Sequence, residues 1–166
     1  MNAGRSEQEP GDLARRVVDA NRYMTLATAD AAGRPWASPV WYAHGRYAEF
    51  LWVSDPDSRH SRNLAARPEV AIVIFDSTVP IGGAEAVYLN AVAGQVPEAE
   101  VEPALAFFSR ASVADGGPEW TAVDVRPPAE QRLYRAVASE RFVLGPDSRR
   151  LPVTHADYDD AEEVSR

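Results

Sequence analysis

The chain has 166 residues, with 17 basic side chains, 25 acidic side chains, a formal charge of −8 and no cysteine. That length suits one domain with a real core, and the missing cysteines exclude a disulfide framework and thiolate chemistry. The acidity argues against general nucleic-acid binding, which needs a basic face.

All 17 basic residues are arginine, so lysine Schiff-base chemistry is excluded as well. No apolar run approaches the length that spans a bilayer. The first residues, MNAGRSEQEPGD, are polar and lack the apolar stretch of a signal peptide. The expectation is a cytoplasmic protein with no membrane partner.

Residues 1–10 read as disordered, 11–146 as the folded domain and 147–166 as a polar, acidic tail. Gly11–Asn21 sets Leu13, Val17 and Val18 at helical spacing, with Asp12 as N-cap. Tyr23–Thr28 then reads as a strand, Asp30–Pro35 as a turn, and Trp36–Ala43 as a second strand. Pro39 within that strand favours an edge or a bulge. His44–Arg46 turns the chain into a third strand, Tyr47–Ser54, completing a meander.

Arg59–Ala66 predicts a short helix, capped from Asp55, Asp57 or Ser58 and stopped before Pro68. Glu69–Asp76 is a near-continuous apolar run, which predicts a strand buried on both faces. Ala84–Val96 predicts a long strand in which Gly94 marks a bulge or a close backbone approach. Val101–Ser112 predicts a helix that packs through Leu105, Phe107 and Phe108, followed by a loop over Ala114–Trp120. Gln131–Ala138 alternates, with Leu133 and Arg135 opposite Arg132, Tyr134 and Ala136; Arg141–Leu144 reads as the last strand. About six antiparallel strands with peripheral helices predict a mainly β fold, a small barrel whose closure removes exposed edges.

One segment runs against the net charge. Ser54–Val70 (SDPDSRHSRNLAARPEV) gathers Arg59, His60, Arg62 and Arg67 at a helix start. Cations there oppose the helix dipole, while the free N–H groups of the first turn favour an anion, phosphate above all. Ser54 and Ser58 add hydroxyl donors. The competing expectation is a solvated surface on which these cations pair with Asp55, Asp57 or Glu69.

Five stretches carry a resemblance: YMTLAT (Tyr23–Thr28), GRPWASPVWY (Gly33–Tyr42), FLWVSDPDSRHSRNL (Phe50–Leu64), PEVAIVIFD (Pro68–Asp76) and NAVAGQV (Asn90–Val96). In order and spacing the chain resembles the pyridoxamine 5′-phosphate oxidase-like flavin-binding split barrels over about Asn21–Leu144. The resemblance implies a six-stranded antiparallel split barrel, a homodimer, and FMN or the deazaflavin F420 in a cleft between subunits. It implies a flavin-dependent oxidoreductase acting on a small molecule, with non-catalytic flavin or haem binding as the alternative.

By the same resemblance, Ser58, Arg59 and His60 match the family's Ser-Arg-Lys phosphate segment, with Arg62 in support and histidine standing where lysine is usual. Ser38, Val40 and Trp41 match the strand that meets the flavin ring, and Val53 and Ser54 the residues beside its edge. Trp36 and Trp41 replace the arginine and lysine that usually flank that strand, which removes two phosphate contacts. Gln95 and Arg132 complete the implied cofactor set. The late substrate motif of true pyridoxamine phosphate oxidases survives only as Arg132-Leu133, with Pro128 in the place of its tryptophan, which implies a different substrate.

Trp52, on an alternating strand, reads as a core residue. His44, His60 and His155 show no metal-ligand spacing, and no nucleophile-elbow motif accompanies the serines.

Overall fold

The computed structural model describes residues 9–145 and 147–154. Helix α1 spans Pro10–Ala20, with Glu9 at the cap position and Pro10 in the first turn, where its missing N–H is no loss. Asp12 therefore lies inside the first turn instead of capping it. The helix buries Ala14, Val17 and Val18.

Strands β1 (Tyr23–Ala29) and β2 (Pro35–Trp41) form an antiparallel hairpin, Tyr23 opposite Trp41 and Ala29 opposite Pro35. The expected single strand over Trp36–Ala43 is bent at Tyr42. Its continuation, β3 (Ala43–Gly45), leaves β1 and pairs with β4 (Glu49–Ser54). The Tyr42 hydroxyl donates to the carbonyls of Val18 at 2.7 Å and Asn21 at 3.1 Å, pinning the bend to α1. Arg46 and Tyr47, both at positive φ (45° and 53°), make the tight turn between β3 and β4.

Helix α2 (Arg59–Ala66) lies where the sequence placed it, with the Ser58 side chain accepting from the Ser61 N–H. Strands β5 (Glu69–Phe75) and β6 (Ala86–Gln95) follow, then a 3₁₀ turn at Glu98–Glu100 and helix α3 (Val101–Ala114). A short α4 (Ala122–Val125), not expected from the sequence, is closed by Thr121 and Asp124 bonding each other's backbone N–H. Strand β7 is continuous over Arg132–Leu144, joining two stretches read as separate.

The sheet order is β2-β1-β5-β6-β7-β4-β3, and β8 (Arg150–Pro152) adds to β7. Because β3 follows β2 directly, the two ends of this order meet at Tyr42 and the sheet curls on itself. The tail expected from residue 147 thus contributes a strand and a buried Val153. His155 and the acidic residues after it lie outside the described residues.

Two cores result. One fills the barrel, with Met24, Leu26, Phe50, Trp52, Ile72 and Leu89. The other lies between the sheet and α3, with Leu51, Leu105, Phe108, Val125 and Leu133. This second core explains why Leu133 and Tyr134, successive residues on opposite faces, are both buried. Conversely, β5 is buried on one face only: Val70, Ile72 and Ile74 point in, while Ala71 and Phe75 are exposed. Among the described residues no helix covers its outer face, so the apolar run is not a doubly buried strand. The register shift in β6 falls between Asn90 and Ala91, not at Gly94. Among the described residues no helix is long and apolar enough to cross a membrane.

Candidate functional site

The bend at Tyr42 makes a gap. The chain on one side of it stays with β1 and on the other side joins β4, so Val40 and Trp41 at the end of β2 stand apart from Val53 and Ser54 at the end of β4. A cleft of about 590 Å³ opens there, a size that takes a cofactor or a drug-sized molecule. Val40, Trp41, Val53, Ser54 and His60 line one side. Phe108, Ser112 and Trp120, from α3 and the segment after it, form the other.

The walls are held by specific contacts. Trp41 meets Phe108 edge to face at 5.1 Å, and Phe108 meets Trp120 at 5.9 Å. The Trp41 indole N–H donates to Asp115 Oδ2 at 3.3 Å, and Arg22 donates to the Asp115 carbonyl at 3.1 Å. After α3 the chain folds back on the helix. Gly117 N–H donates to the Ser112 carbonyl (2.8 Å), the Ser112 hydroxyl to the Pro118 carbonyl (2.7 Å), and Trp120 N–H to the Ser109 hydroxyl (2.7 Å).

His60 reaches into the cleft from the first turn of α2. Its Nε2 lies 2.7 Å from Ser54 Oγ and 3.2 Å from Ser58 Oγ. Burial pushes its pKa below the ordinary 6.5, so the ring is neutral at neutral pH and adds no charge to the cleft. The unfolded chain then binds more protons at this residue than the folded one. Its contribution to stability is therefore complete above pH 6.5 and falls as the pH drops through and below that value. His60→Gln is expected to flatten the decline in melting temperature between about pH 7 and about pH 5; an equally steep decline in the variant would place the titrating group elsewhere.

The expected anion cluster is divided. Arg59, next to His60, is exposed, and its guanidinium stacks on the Trp36 ring, 4.3 Å from the centroid. Arg62 donates to the Asp57 carbonyl. Among the described residues neither arginine forms an ion pair with a carboxylate, so the expected pairs with Asp55, Asp57 or Glu69 do not form. Both line a separate basin beside the β1–β2 turn. Ser58 serves as helix cap. Ser38 is half-buried on β2 opposite Leu26. Arg132 lies opposite Ser54 in the β4–β7 register, but its guanidinium folds back onto the carbonyls of Ala129 and Gln131. Gln95 is exposed at the end of β6, opposite Tyr134.

Of the eleven residues singled out from the sequence, Val40, Trp41, Val53, Ser54 and His60 line the cleft, and the other six do not. In the wall opposite them, the sequence marks residues 111–119 as pocket wall without giving their shape, while Phe108, Trp120 and Gln131 carried no sequence signal as a site. Phe108 read as helix packing, and the segment after α3 read as an unshaped loop. Among the described residues no group of three or more His, Asp or Glu side chains could hold a metal ion.

The fold is shared with known structures. A haem-binding protein from Mycobacterium smegmatis superposes with a TM-score of 0.72 at 23% identity, covering 95% of this chain. This chain spans 63% of that protein's length. An FAD-binding protein from Mesorhizobium loti superposes at 0.61 with 20% identity, covering 78% of this chain and 90% of its own. The haem storage protein HutZ from Vibrio cholerae gives 0.58 at 21%, covering 80% and 89%. At these identities the likeness is one of fold. No curated protein matches the sequence. The sequence profile of pyridoxamine 5′-phosphate oxidase, however, matches residues 11–150, nearly the whole described chain. The chain belongs to the pyridoxamine 5′-phosphate oxidase family.

Proposed function

We propose that the protein is a flavin-dependent oxidoreductase that holds FMN in this cleft and acts on a small molecule other than pyridoxamine phosphate. The observation that carries the reading is the cleft itself: a slot bounded by two valines and four aromatic side chains, Tyr23, Trp41, Phe108 and Trp120, with hydroxyl and imidazole groups at one edge. Flat apolar walls suit a planar ring system, and a few polar groups set its orientation. Hydride transfer is the chemistry a flavin supplies when bound, while the protein supplies position and electrostatics.

In this reading Val40, Trp41 and Val53 bound the ring. Ser54 and His60, already bonded to each other, offer a fixed pair of polar groups at its edge. Strand β2 is a sheet edge, so one row of its backbone groups is left unpaired by any strand and is available to a ligand. The phosphate lies toward Ser58 and Arg59 at the start of α2, where free N–H groups and a guanidinium favour an anion. The neutral His60 contributes a hydrogen bond there but no charge, so the phosphate relies on fewer cations than the family pattern provides.

The proposed assembly is a homodimer. Its support is the uncovered outer face of the sheet, where Tyr23, Phe75, Val92 and Val137 are 61, 44, 54 and 44% exposed. An apolar face of this kind marks an interaction surface.

The test is an absorption and fluorescence titration of the purified protein with FMN and, separately, with F420, the alternative cofactor. FMN is expected to bind at one per subunit, in a particle of twice the 18.1 kDa chain mass by sedimentation. Saturable binding of F420 alone would transfer the reading to the deazaflavin; binding of neither would end it. A second reading, non-catalytic haem binding, is favoured by the one imidazole that lines the cleft, His60. A haem Soret band that shifts in His60→Ala would support it over the flavin.

A further inference from the structure

Two charges that line the cleft have no counter-ion. Among the described residues of its lining, Arg22 is the only permanent cation and Asp115 the only carboxylate, since His60 is neutral. Arg22 directly precedes Tyr23, the register partner of Trp41, and Asp115 directly follows α3. Both are fixed in place by bonds that leave their charges open. Arg22 Nη1 donates to the backbone carbonyl of Asp115 at 3.1 Å, and Asp115 Oδ2 accepts the Trp41 indole N–H at 3.3 Å. Yet among the described residues neither side chain forms an ion pair, with the other or with a third group. The remaining guanidinium N–H groups and Asp115 Oδ1 have no protein partner there.

Opposite charges held this close without pairing select among ligands. An anion alone would meet Arg22 but be repelled by Asp115, and a cation alone would do the reverse. A ligand that carries both charges close together satisfies both. A guanidinium fork matches a carboxylate in geometry. Asp115 caps the C-terminal end of α3, where the helix dipole also favours a cation. Trp41, Phe108 and Trp120, in edge contact with one another, line the same cleft. Such apolar walls strengthen ionic contacts relative to open water and suit an apolar body behind the charged head.

We propose that Arg22 and Asp115 form a recognition pair for a zwitterionic substrate, an α-amino acid with a large apolar side chain. Arg22 takes its carboxylate, Asp115 its ammonium group, and the aromatic walls its side chain. The role as substrate rests on the flavin reading above; the binding itself rests on the two charges.

The experiment titrates the full chain by calorimetry with L-phenylalanine, with phenethylamine, which lacks the carboxylate, and with phenylpropionate, which lacks the ammonium group. It is run on the wild type, Arg22→Gln, Arg22→Lys and Asp115→Asn, with thermal melting of each and a separate FMN titration. Phenylalanine is expected to bind the wild type about tenfold more tightly than either analogue. Arg22→Gln is expected to remove its margin over phenethylamine alone, Asp115→Asn its margin over phenylpropionate alone, and Arg22→Lys to keep part of the first margin. A purely structural role for either residue would instead weaken all three compounds alike. Equal affinity for the three, binding of none, or variants that weaken all three alike overturns the proposal. FMN binding beside such a result leaves the flavin reading standing; the expected pattern without FMN binding keeps the recognition pair and ends the flavin reading.

Discussion

Trp52→Ala is expected to lower the unfolding free energy by about 3–5 kcal/mol, as for other buried aromatic side chains cut to alanine. Trp52 is fully buried in the barrel core and stacks on Tyr134, ring centroids 5.7 Å apart. Domains of this kind hold about 5–15 kcal/mol in total, so the variant would be marginal or unfolded at room temperature. Trp52→Phe separates packing from polarity. The indole Nε1–H is buried with no hydrogen-bond partner among the described residues, and burying such a donor costs about 1–3 kcal/mol. Removing it offsets part of the lost volume, so the phenylalanine variant is expected to lie much closer to the wild type. Urea unfolding of both variants reads the difference. Equal losses in the two would show that the indole ring's size, not its unpaired donor, sets the energy.

The second large effect is expected at Gly117, and it falls on binding. A Cβ there would sit 2.6 Å from Ser112 Oγ and 3.1 Å from the Ser112 carbonyl oxygen. Neither atom yields easily. The hydroxyl is committed to the Pro118 carbonyl, and the Ser112 carbonyl accepts the Gly117 N–H. Gly117→Ala must therefore move the segment that carries Asp115, Pro118 and Trp120, half of the cleft's outer wall. Flavin affinity is expected to fall about tenfold or more, with a stability loss of about 1–3 kcal/mol from overpacking. Fluorescence titration beside thermal melting measures both. Unchanged affinity would mean that this wall does not touch the ligand.

The elements that were legible in the sequence are those whose cause is local. Ser58 caps α2 because a serine hydroxyl is placed to accept from the first turn, and Pro68 ends the helix region by its own sterics. Trp52 read correctly as core. Errors arose where an element's environment was made by a distant one. The apolar run of β5 carries no record of whether a helix covers its second face, and among the described residues none does. Leu133 and Tyr134 break the expected alternation because α3 is packed behind one of them. Strand β2 ends at Tyr42 because its partner changes there, and partner choice is settled by β4 and α1.

The site divides the same way. The basic segment after β4 was visible as a charge anomaly, and its one member that faces the cleft, His60, was among the residues named. Which side of α2 each cation takes was not visible, since His60 and Arg59 differ by one residue on a helix whose orientation comes from packing on β1 and β2. By itself, the amino-acid sequence determined the order of the main strands and helices, the ends of α2 and the family, because these follow from short-range chemistry and motif spacing. Only the tertiary structure decided that the sheet closes at Tyr42, that α3 and its Gly-Gly turn form the opposing wall, and that the arginines occupy a second basin. Those outcomes depend on contacts between residues far apart in the chain, 74 positions for Trp41 with Asp115 and 93 for Arg22 with Asp115, which no local pattern encodes.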